Sequence, residues 1–154
     1  MVISPDDKKT LLDYLNSQKL MSLATRGDYP WIASVYYVVD DDLNLYFISP
    51  ADAEHSQQLA KNPEVAVNIA DSRQEASDKK KGLQLWGITS QEWIIEKLKW
   101  MFEMYGRLHP SVKDIFTFER FQRQIMTSKV YKVVPQRIKL FDENLPGNHQ
   151  KTWE

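Results

Sequence analysis

The residues whose types and spacing could bind a ligand are concentrated between Tyr46 and Pro63, in the stretch YFISPADAEHSQQLAKNP. An alternating apolar strand runs here into a short helix, and a helix N-terminus after a strand is a common place for a phosphate. Ser49 offers a hydroxyl and His55 an imidazole, whereas Glu54 would repel an anion. Ser-Pro followed by an acid also suits a helix cap. The sequence therefore predicts a helix capped by Ser49, and a phosphate at its N-terminus stays open.

Other catalytic patterns are missing from the sequence. Its five glycines form neither a dinucleotide-binding fingerprint nor a phosphate-binding loop, and it has no cysteine. The three histidines, His55, His109 and His149, are far apart, and their spacing predicts no metal site. The basic run Lys79 to Lys81 is interpreted as a solvated patch, with a contact to a partner or a ligand phosphate as the alternative. A hydrolase or kinase is not supported, so an enzyme of this sequence would rely on a bound cofactor.

Length and composition fit a single domain over residues 1–154. The chain is 42% hydrophobic and 27% charged, with a formal net charge of −1. This balance gives no overall attraction to nucleic acid or to an anionic membrane. The longest nearly apolar run, residues 29–39, is too short to cross a bilayer as a helix, and the polar N-terminus is not expected to be a secretory signal. We therefore expect a cytoplasmic protein with no nucleic acid or membrane partner.

Hydrophobic periodicity predicts a mainly β chain with appended helices. Ser4 and Pro5 predict the start of a helix within residues 1–18. Alternating apolar residues predict strands, and the longest of them is expected to be covered on both sides. The predicted strands are 20–25, 31–39, 43–49, 64–70, 82–89, 129–134 and 137–142. Helical spacing is predicted from 90 to 106 and from 109 to 124, and the tail at 142–154 is expected to be irregular. Hairpin-linked strands with few crossovers favour an antiparallel β-barrel.

Three segments together resemble the FMN-binding split-barrel family typified by pyridoxamine 5'-phosphate oxidase. They are SLATRGDYPWIASVYYVVDDDLNLYFIS, the stretch from Tyr46 to Pro63 with the strand after it, and GLQLWGIT. The resemblance covers roughly Leu20 to Leu140 and is closest to short bacterial members of unassigned function. It implies an antiparallel split β-barrel and a homodimer with FMN sites at the subunit interface.

The resemblance also assigns residues to the FMN site. The set is Ala33, Ser34, Val35, Tyr36, Ile48, Ser49, His55 and Gln84. Residues 33–36 match the strand whose backbone lies along the flavin ring, and residues 48 and 49 match the neighbouring strand end, where a hydroxyl could donate to phosphate. Gln84 matches a position that reaches the pyrimidine edge of the flavin. His55 falls where the family often has a basic residue for the phosphate.

The sequence departs from the family pattern at three places, one of which is strand 31–39, where it lacks the arginine of the true oxidase. Glu54 stands where the family often has an arginine, which would bind phosphate bidentately. The C-terminal arginine and histidine that hold pyridoxal phosphate in the true oxidase are not reproduced, so we do not predict pyridoxamine phosphate oxidation. His149 and Trp153 are expected either to close over a neighbouring subunit's flavin or to belong to an irregular tail.

The leading hypothesis is an FMN-dependent oxidoreductase that acts on an unknown small molecule. The alternative is a non-enzymatic split-barrel dimer that has lost FMN or binds another ligand such as haem, and a general protein–protein module is a third interpretation. At single positions the structural alternatives stay open. Ser34 also suits a packed strand, Gln84 a solvent-facing strand position, and Trp86 a core or interface anchor.

Overall fold

The computed structural model describes residues 1–108 and 117–154. Its helices are α1 (Pro5–Ser17), α2 (Glu54–Leu59), α3 (Ile95–Leu108) and α4 (Phe118–Thr127). Its strands are β1 (Leu20–Arg26), β2 (Pro30–Tyr36), β3 (Val38–Val39), β4 (Leu45–Pro50), β5 (Glu64–Ala70), β6 (Lys81–Gln91), β7 (Ser128–Asp142) and β8 (Gln150–Trp153). They form one antiparallel sheet in the order β2-β1-β5-β6-β7-β4-β3, with β8 paired to β7.

The sheet closes on itself because β2 and β3 are nearly continuous in the chain. Only Tyr37 separates them, yet β2 pairs with β1 and β3 pairs with β4, at the two ends of the strand order. The chain therefore joins both ends of the sheet, and β2 and β4 are not paired with each other along most of their length. This arrangement confirms the predicted mainly β fold and the antiparallel split barrel.

Strict alternation along the strands fills the barrel with apolar side chains. In β5, for example, Val65, Val67 and Ile69 are buried, while the residues between them are exposed. Helix α1 closes one side of this core with Leu11 and Leu15. Two tyrosine hydroxyls fix the helix to the sheet: that of Tyr14 donates to the carbonyls of Ile69 and Lys81 at 3.2 Å each, and that of Tyr37 donates to the carbonyl of Leu15 at 2.7 Å. The interior is thus occupied by the chain's own side chains.

A second apolar cluster covers part of the barrel's outside. Met101 of α3 and Phe121 of α4 pack with Val38, Tyr46 and Val130 from the neighbouring strands. The sequence predicts that the strand at residues 31–39 is covered on both faces. In a single chain this is true only at its β3 end. Along β2 the outward side chains are exposed in a single chain, including Ile32 at 66%.

The prediction that Ser49 caps the short helix is wrong. Helix α2 begins only at Glu54, and its N-cap residue, Ala53, makes no side-chain cap bond. Ser49 lies within β4 because the pairing of β4 with β7 continues as far as Pro50. The same Ser-Pro pattern does cap α1, where the Asp7 N–H donates to Ser4 Oγ at 3.2 Å.

The expectation of an irregular tail is wrong for residues 150–153, which form β8. Gly147 and His149 adopt positive φ angles of 76° and 58° and turn the chain back onto β7. Trp153 is then buried in the barrel core, and its Nε1 donates to Asp7 Oδ2 at 3.2 Å. Lys151 Nζ donates to Asp7 Oδ1 at 2.7 Å. This indole is therefore engaged with its own barrel and is not free to cover a neighbouring flavin.

The predicted helices differ from the observed ones at their ends. Strand β6 continues to Gln91, and α3 runs on past Gly106 to Leu108. Most of the predicted helix at 109–124 lies outside the described residues, and its remainder coincides with α4. In the part of the chain that is described, none of the helices combines the length and apolar character needed to span a membrane.

Candidate functional site

Five strands carry a row of polar side chains across the outer face of the barrel. The register sets Ser34 opposite Ser22, Ser22 opposite Asn68, Asn68 opposite Gln84, and Gln84 opposite Lys139. With about 4.8 Å between strands, this polar row is about 19 Å long. Its members alternate with buried neighbours, so their side chains point away from the core. Two predicted site residues, Ser34 and Gln84, therefore lie on one line although they are far apart in the sequence.

A second row runs beside the polar row, one pleat further along the strands. It consists of Ile32, Ala24, Ala66, Trp86 and Arg137, which are paired in that order. The two alanines in its middle have short side chains, so the surface there is flat and close to the backbone of the sheet. Ile32 and Trp86, which are 66% and 46% exposed, stand at its margins. We call the two rows together the outer platform.

The other predicted residues of β2 point to different sides. Tyr36 is half-exposed, and its ring lies edge-on to that of Tyr105 in α3, with the centroids 6.4 Å apart. Val35 is buried in the barrel core, and Ala33 packs against that core. Residues 33 and 35 can therefore offer a ligand only their backbone. Because β2 is the last strand in the sheet order, part of that backbone faces the free edge.

Ile48 lies on the outside of β4, where the second apolar cluster covers it. It is partly buried and packs against this cluster, to which α3 and α4 contribute Met101 and Phe121. The structure therefore does not bring Ile48 onto the outer platform.

Ser49 and His55 meet each other in a buried position. His55 Nε2 lies 2.7 Å from Ser49 Oγ, and the two residues are 8% and 2% exposed. The His55 ring also lies against Phe47, with the centroids 6.5 Å apart. Burial lowers the pKa of His55, which favours the neutral imidazole at pH 7. A phosphate would reach this pair only if the groups that cover it moved.

Glu54 is held in a network of side chains at the end of the barrel. Its Oε1 accepts from the Tyr29 hydroxyl at 3.1 Å and from Gln58 Nε2 at 3.3 Å. The Thr25 hydroxyl donates to Gln58 Oε1 at 2.8 Å, which ties α2 to β1. The Glu54 carboxylate is also the main cause of the raised pKa of Tyr29. The network explains an acidic residue at this position without any ligand.

The structure adds three residues that the sequence reasoning did not single out: Asn68, Arg137 and Lys139. The two basic residues follow each other on the outer side of β7, where Ile138 and Leu140 face the core. The alternation in RIKLFD was a signal that could have placed them on one face. Among the described residues no group of three or more acidic or histidine side chains is arranged to hold a metal ion, and His109 lies outside them.

A family model described as pyridoxamine 5'-phosphate oxidase matches residues 8–141. The chain belongs to the pyridoxamine 5'-phosphate oxidase family. This membership confirms the resemblance read from residues 20–140. The family match begins within α1 and ends near the end of β7, so it takes in every residue of the outer platform.

Solved structures share the fold at low sequence identity. A conserved hypothetical protein from Mycobacterium tuberculosis has a TM-score of 0.73 at 18% identity, covering 96% of this chain and 91% of its own. The haem storage protein HutZ from Vibrio cholerae has a TM-score of 0.65 at 18% identity, covering 88% and 92%. A NimC/NimA family protein from Clostridium acetobutylicum has a TM-score of 0.65 at 19% identity, covering 95% and 90%. No curated protein matches the chain in sequence.

Proposed function

We propose that this chain binds FMN on the outer platform, at the interface of a homodimer, and acts as a flavin-dependent oxidoreductase on a small molecule. The observation that carries the proposal is the register that sets Ser34 and Gln84 on one exposed polar row. The family resemblance assigned both residues to a flavin independently of that register. Since side chains alternate along a strand, either residue could have pointed into the barrel, as the side chain of Val35 does.

The shape of the outer platform suits a flat ring system. On its two central strands, β1 and β5, three of the four residues are small, namely Ser22, Ala24 and Ala66, so a planar ring can approach the sheet closely beside the fourth, Asn68. The amides of Asn68 and Gln84 can both donate and accept, which matches the mixed donors and acceptors at the pyrimidine edge of a flavin. Cofactor sites are typically concave and apolar with a few directed polar groups, and a second copy of the chain facing this flat surface would complete such a site.

A second copy of the chain supplies the cover that the platform lacks in one chain. The barrel interior is filled, so a ring can bind only outside it. Three large side chains around the platform are at least 45% exposed: Ile32, Tyr36 and Trp86. A subunit interface at this face would remove their apolar surface from water. Burying a large apolar side chain contributes about 1.5–3 kcal/mol, which favours a dimer at this face.

Bound FMN would supply the hydride chemistry, and this chain's residues would hold and orient the ring. Ser34, Asn68 and Gln84 would hydrogen-bond its polar edge, while the free edge of β2 would offer backbone N–H groups. The dimer wall would limit access of water. Pyridoxamine phosphate is not proposed as the substrate, because the C-terminal segment lacks the residues that hold it in the true oxidase and Trp153 is engaged in the barrel core.

Haem is the second candidate ligand. The observation that favours it is the shared fold with the haem storage protein HutZ. A haem ring is also flat, so the same platform could hold it, and the protein would then be a binding module and not an oxidoreductase.

The test is ligand binding by the purified 154-residue chain. We expect a shifted flavin absorbance spectrum and co-elution of FMN with a dimer on gel filtration. Gln84→Leu should weaken FMN binding by about tenfold, which corresponds to the loss of one hydrogen bond of about 1.4 kcal/mol. The matched control is Gln57→Leu on the exposed side of α2, which should leave binding unchanged. An unshifted spectrum with no co-eluting flavin would refute the proposal, and haem binding in its place would support the second candidate.

A further inference from the structure

We propose that Lys129 binds the phosphate of FMN at the end of the barrel where Ser49 and His55 meet. The inference rests on the proposed FMN function and deepens it, because it names the cation that would hold the charged end of the ligand. The sequence resemblance assigned Ser49 and His55 to that end. It named no residue there with a fixed positive charge, since Glu54 stands where the family often has an arginine.

Lys129 and Ser49 lie opposite each other where β7 begins and β4 ends. The register pairs Phe47 with Tyr131 and Ser49 with Lys129. The rings of Phe47 and Tyr131 stack in the barrel core, with their centroids 4.9 Å apart. Because side chains alternate between the two faces of a strand, Lys129 and Ser49 leave the sheet on that same inner face, nearer the end of the barrel. The Cβ atoms of residues directly opposite each other are about 4.5–5.5 Å apart, so the Lys129 ammonium can reach a group bound at Ser49.

The charge of Lys129 is not used by an ion pair. The side chain is half-buried, and among the residues that the structure describes no carboxylate pairs with it. By contrast, the ammonium groups of Lys81, Lys97 and Lys151 lie 3.0, 2.9 and 2.7 Å from carboxylate oxygens. A half-buried lysine without a counter-ion is available to an anionic ligand, and its long side chain can keep the charged group near water until the ligand binds.

Other hydrogen-bond donors beside Lys129 also suit a phosphate. Within the described part of the chain, two buried hydroxyl groups have no hydrogen-bond partner, those of Ser56 and Tyr131. Ser56 follows His55 in α2, and Tyr131 is the next residue after Lys129 on the inner face of β7. Buried polar atoms are normally bonded, so these hydroxyls favour a ligand that is rich in acceptor oxygens. A phosphate offers three such oxygens.

Lys129 supplies the positive charge that the groups around Ser49 lack. Burial lowers the pKa of His55, which favours the neutral imidazole at pH 7. The Glu54 carboxylate accepts from the Tyr29 hydroxyl and from Gln58 Nε2, so it is already engaged. A phosphate carries about −1.5 to −2 charges, and a lysine binds such a group as a point charge.

The split between β2 and β4 connects this end of the barrel with the outer platform. In β3 and β4, Val38 is paired with Tyr46, and β2 continues the line of β3. The same register, continued along β2, sets residues 34 and 35 across the split from residues 50 and 49. A ring on the polar row beside Ser34 would therefore carry its phosphate through the split toward Ser49. Binding there would exchange the bond between Ser49 and His55 for bonds to the phosphate.

FMN and riboflavin separate the phosphate from the ring, since riboflavin carries the same ring and lacks the phosphate. Both affinities are measured by quenching of flavin fluorescence for the 154-residue chain. We expect Lys129→Gln to weaken FMN by about tenfold, the effect of one lost charge-assisted bond, and to leave riboflavin unchanged. Lys129→Arg keeps the charge and should keep the affinity for FMN. Lys132→Gln is the matched control, because this lysine lies on the same strand over the Tyr46 ring on the outer face, and its loss should change neither affinity.

Glu54→Arg in the Lys129→Gln background provides a test in the opposite direction. A guanidinium in the first turn of α2 would offer the phosphate a new cation, so FMN affinity should recover by about tenfold while riboflavin affinity stays constant. FMN affinity of the wild type should also fall with added salt more steeply than riboflavin affinity does, and Lys129→Gln should reduce that difference.

The outcomes distinguish this inference from the proposed function. If the wild type binds FMN and Lys129→Gln keeps the same ratio of FMN to riboflavin affinity, Lys129 does not hold the phosphate, and only this inference is lost. An equal loss of both flavins in Lys129→Gln would likewise overturn the phosphate contact. If the wild type binds neither flavin, the proposed function and the inference fall together.

Discussion

Trp153→Ala should destabilise the protein by about 3 kcal/mol, at the lower end of the range for truncating a buried aromatic residue. Trp153 is 7% exposed and packs in the barrel core opposite Ile138, so its removal leaves a cavity under β8. The change also removes the Nε1 bond to Asp7, which contributes about 1 kcal/mol within that total. We expect a loss at the lower end of the range because Lys151 still donates to the Asp7 carboxylate in the variant, so that this charge keeps a partner.

The assay is urea unfolding followed by far-ultraviolet circular dichroism. Trp153→Phe keeps a buried ring and loses the bond to Asp7, so we expect a loss of about 1 kcal/mol. Trp93→Ala is the matched control, because this indole is 70% exposed and its removal should change stability by less than about 0.5 kcal/mol. The denaturant slope should be equal in all variants if only the folded state changes.

The result that would refute the reasoning is a loss below about 1 kcal/mol for Trp153→Ala, or a loss equal to that of Trp93→Ala. Either would mean that β8 is not docked in solution and that the tail is irregular after all. If the urea midpoint and the denaturant slope both changed, the substitution would have altered the unfolded ensemble as well.

Two further predictions concern the backbone and pH. A Cβ at Gly87 would lie 2.8 Å from the Val134 carbonyl oxygen, so Gly87→Ala should lower the free energy of unfolding by about 1–3 kcal/mol. A Cβ at Gly106 would meet no atom within 4 Å, so Gly106→Ala should stabilise α3 by about 0.5–1 kcal/mol. Thermal unfolding measures both changes. Burial lowers the pKa of His55 below 6.5, so the unfolded chain takes up the proton first and stability falls as pH drops from 6.5 toward that lower value. Urea unfolding at about pH 7.5 and about pH 5.5 should show this loss in the wild type and a smaller one in His55→Gln.

Local signals in the sequence predicted a structural feature correctly where that feature depends on a single helix or strand. Ser4 and Pro5 marked the start of α1 because capping depends only on the residues of that turn. The identical signal failed at Ser49, where pairing with β7 extends the strand past the serine. The sequence pattern is the same in both places, and the tertiary partner is what differs.

Non-local pairing explains what the sequence could not show about the site. Gln84 and Ser34 were each assigned by resemblance, but only the register through β1 and β5 sets them on one row. The basic end of that row was missed because Arg137 and Lys139 become neighbours of Gln84 and Trp86 only across β6 and β7. For β8 a local signal did exist, since Pro146 and Gly147 mark a turn before it.

The position of β7 in the sheet has a consequence for how the chain folds during synthesis. This strand pairs with β6 along most of its length, with β4 at its beginning and with β8 near its end. A nascent chain that has not yet released residues 128–142 from the ribosome therefore presents unpaired edges on both β4 and β6. Pairing over such sequence separations is slow, and open strand edges invite association with other chains. We expect the barrel to close only after residues 128–142 have left the ribosome, and chaperones that shield strand edges to matter most in the interval before that.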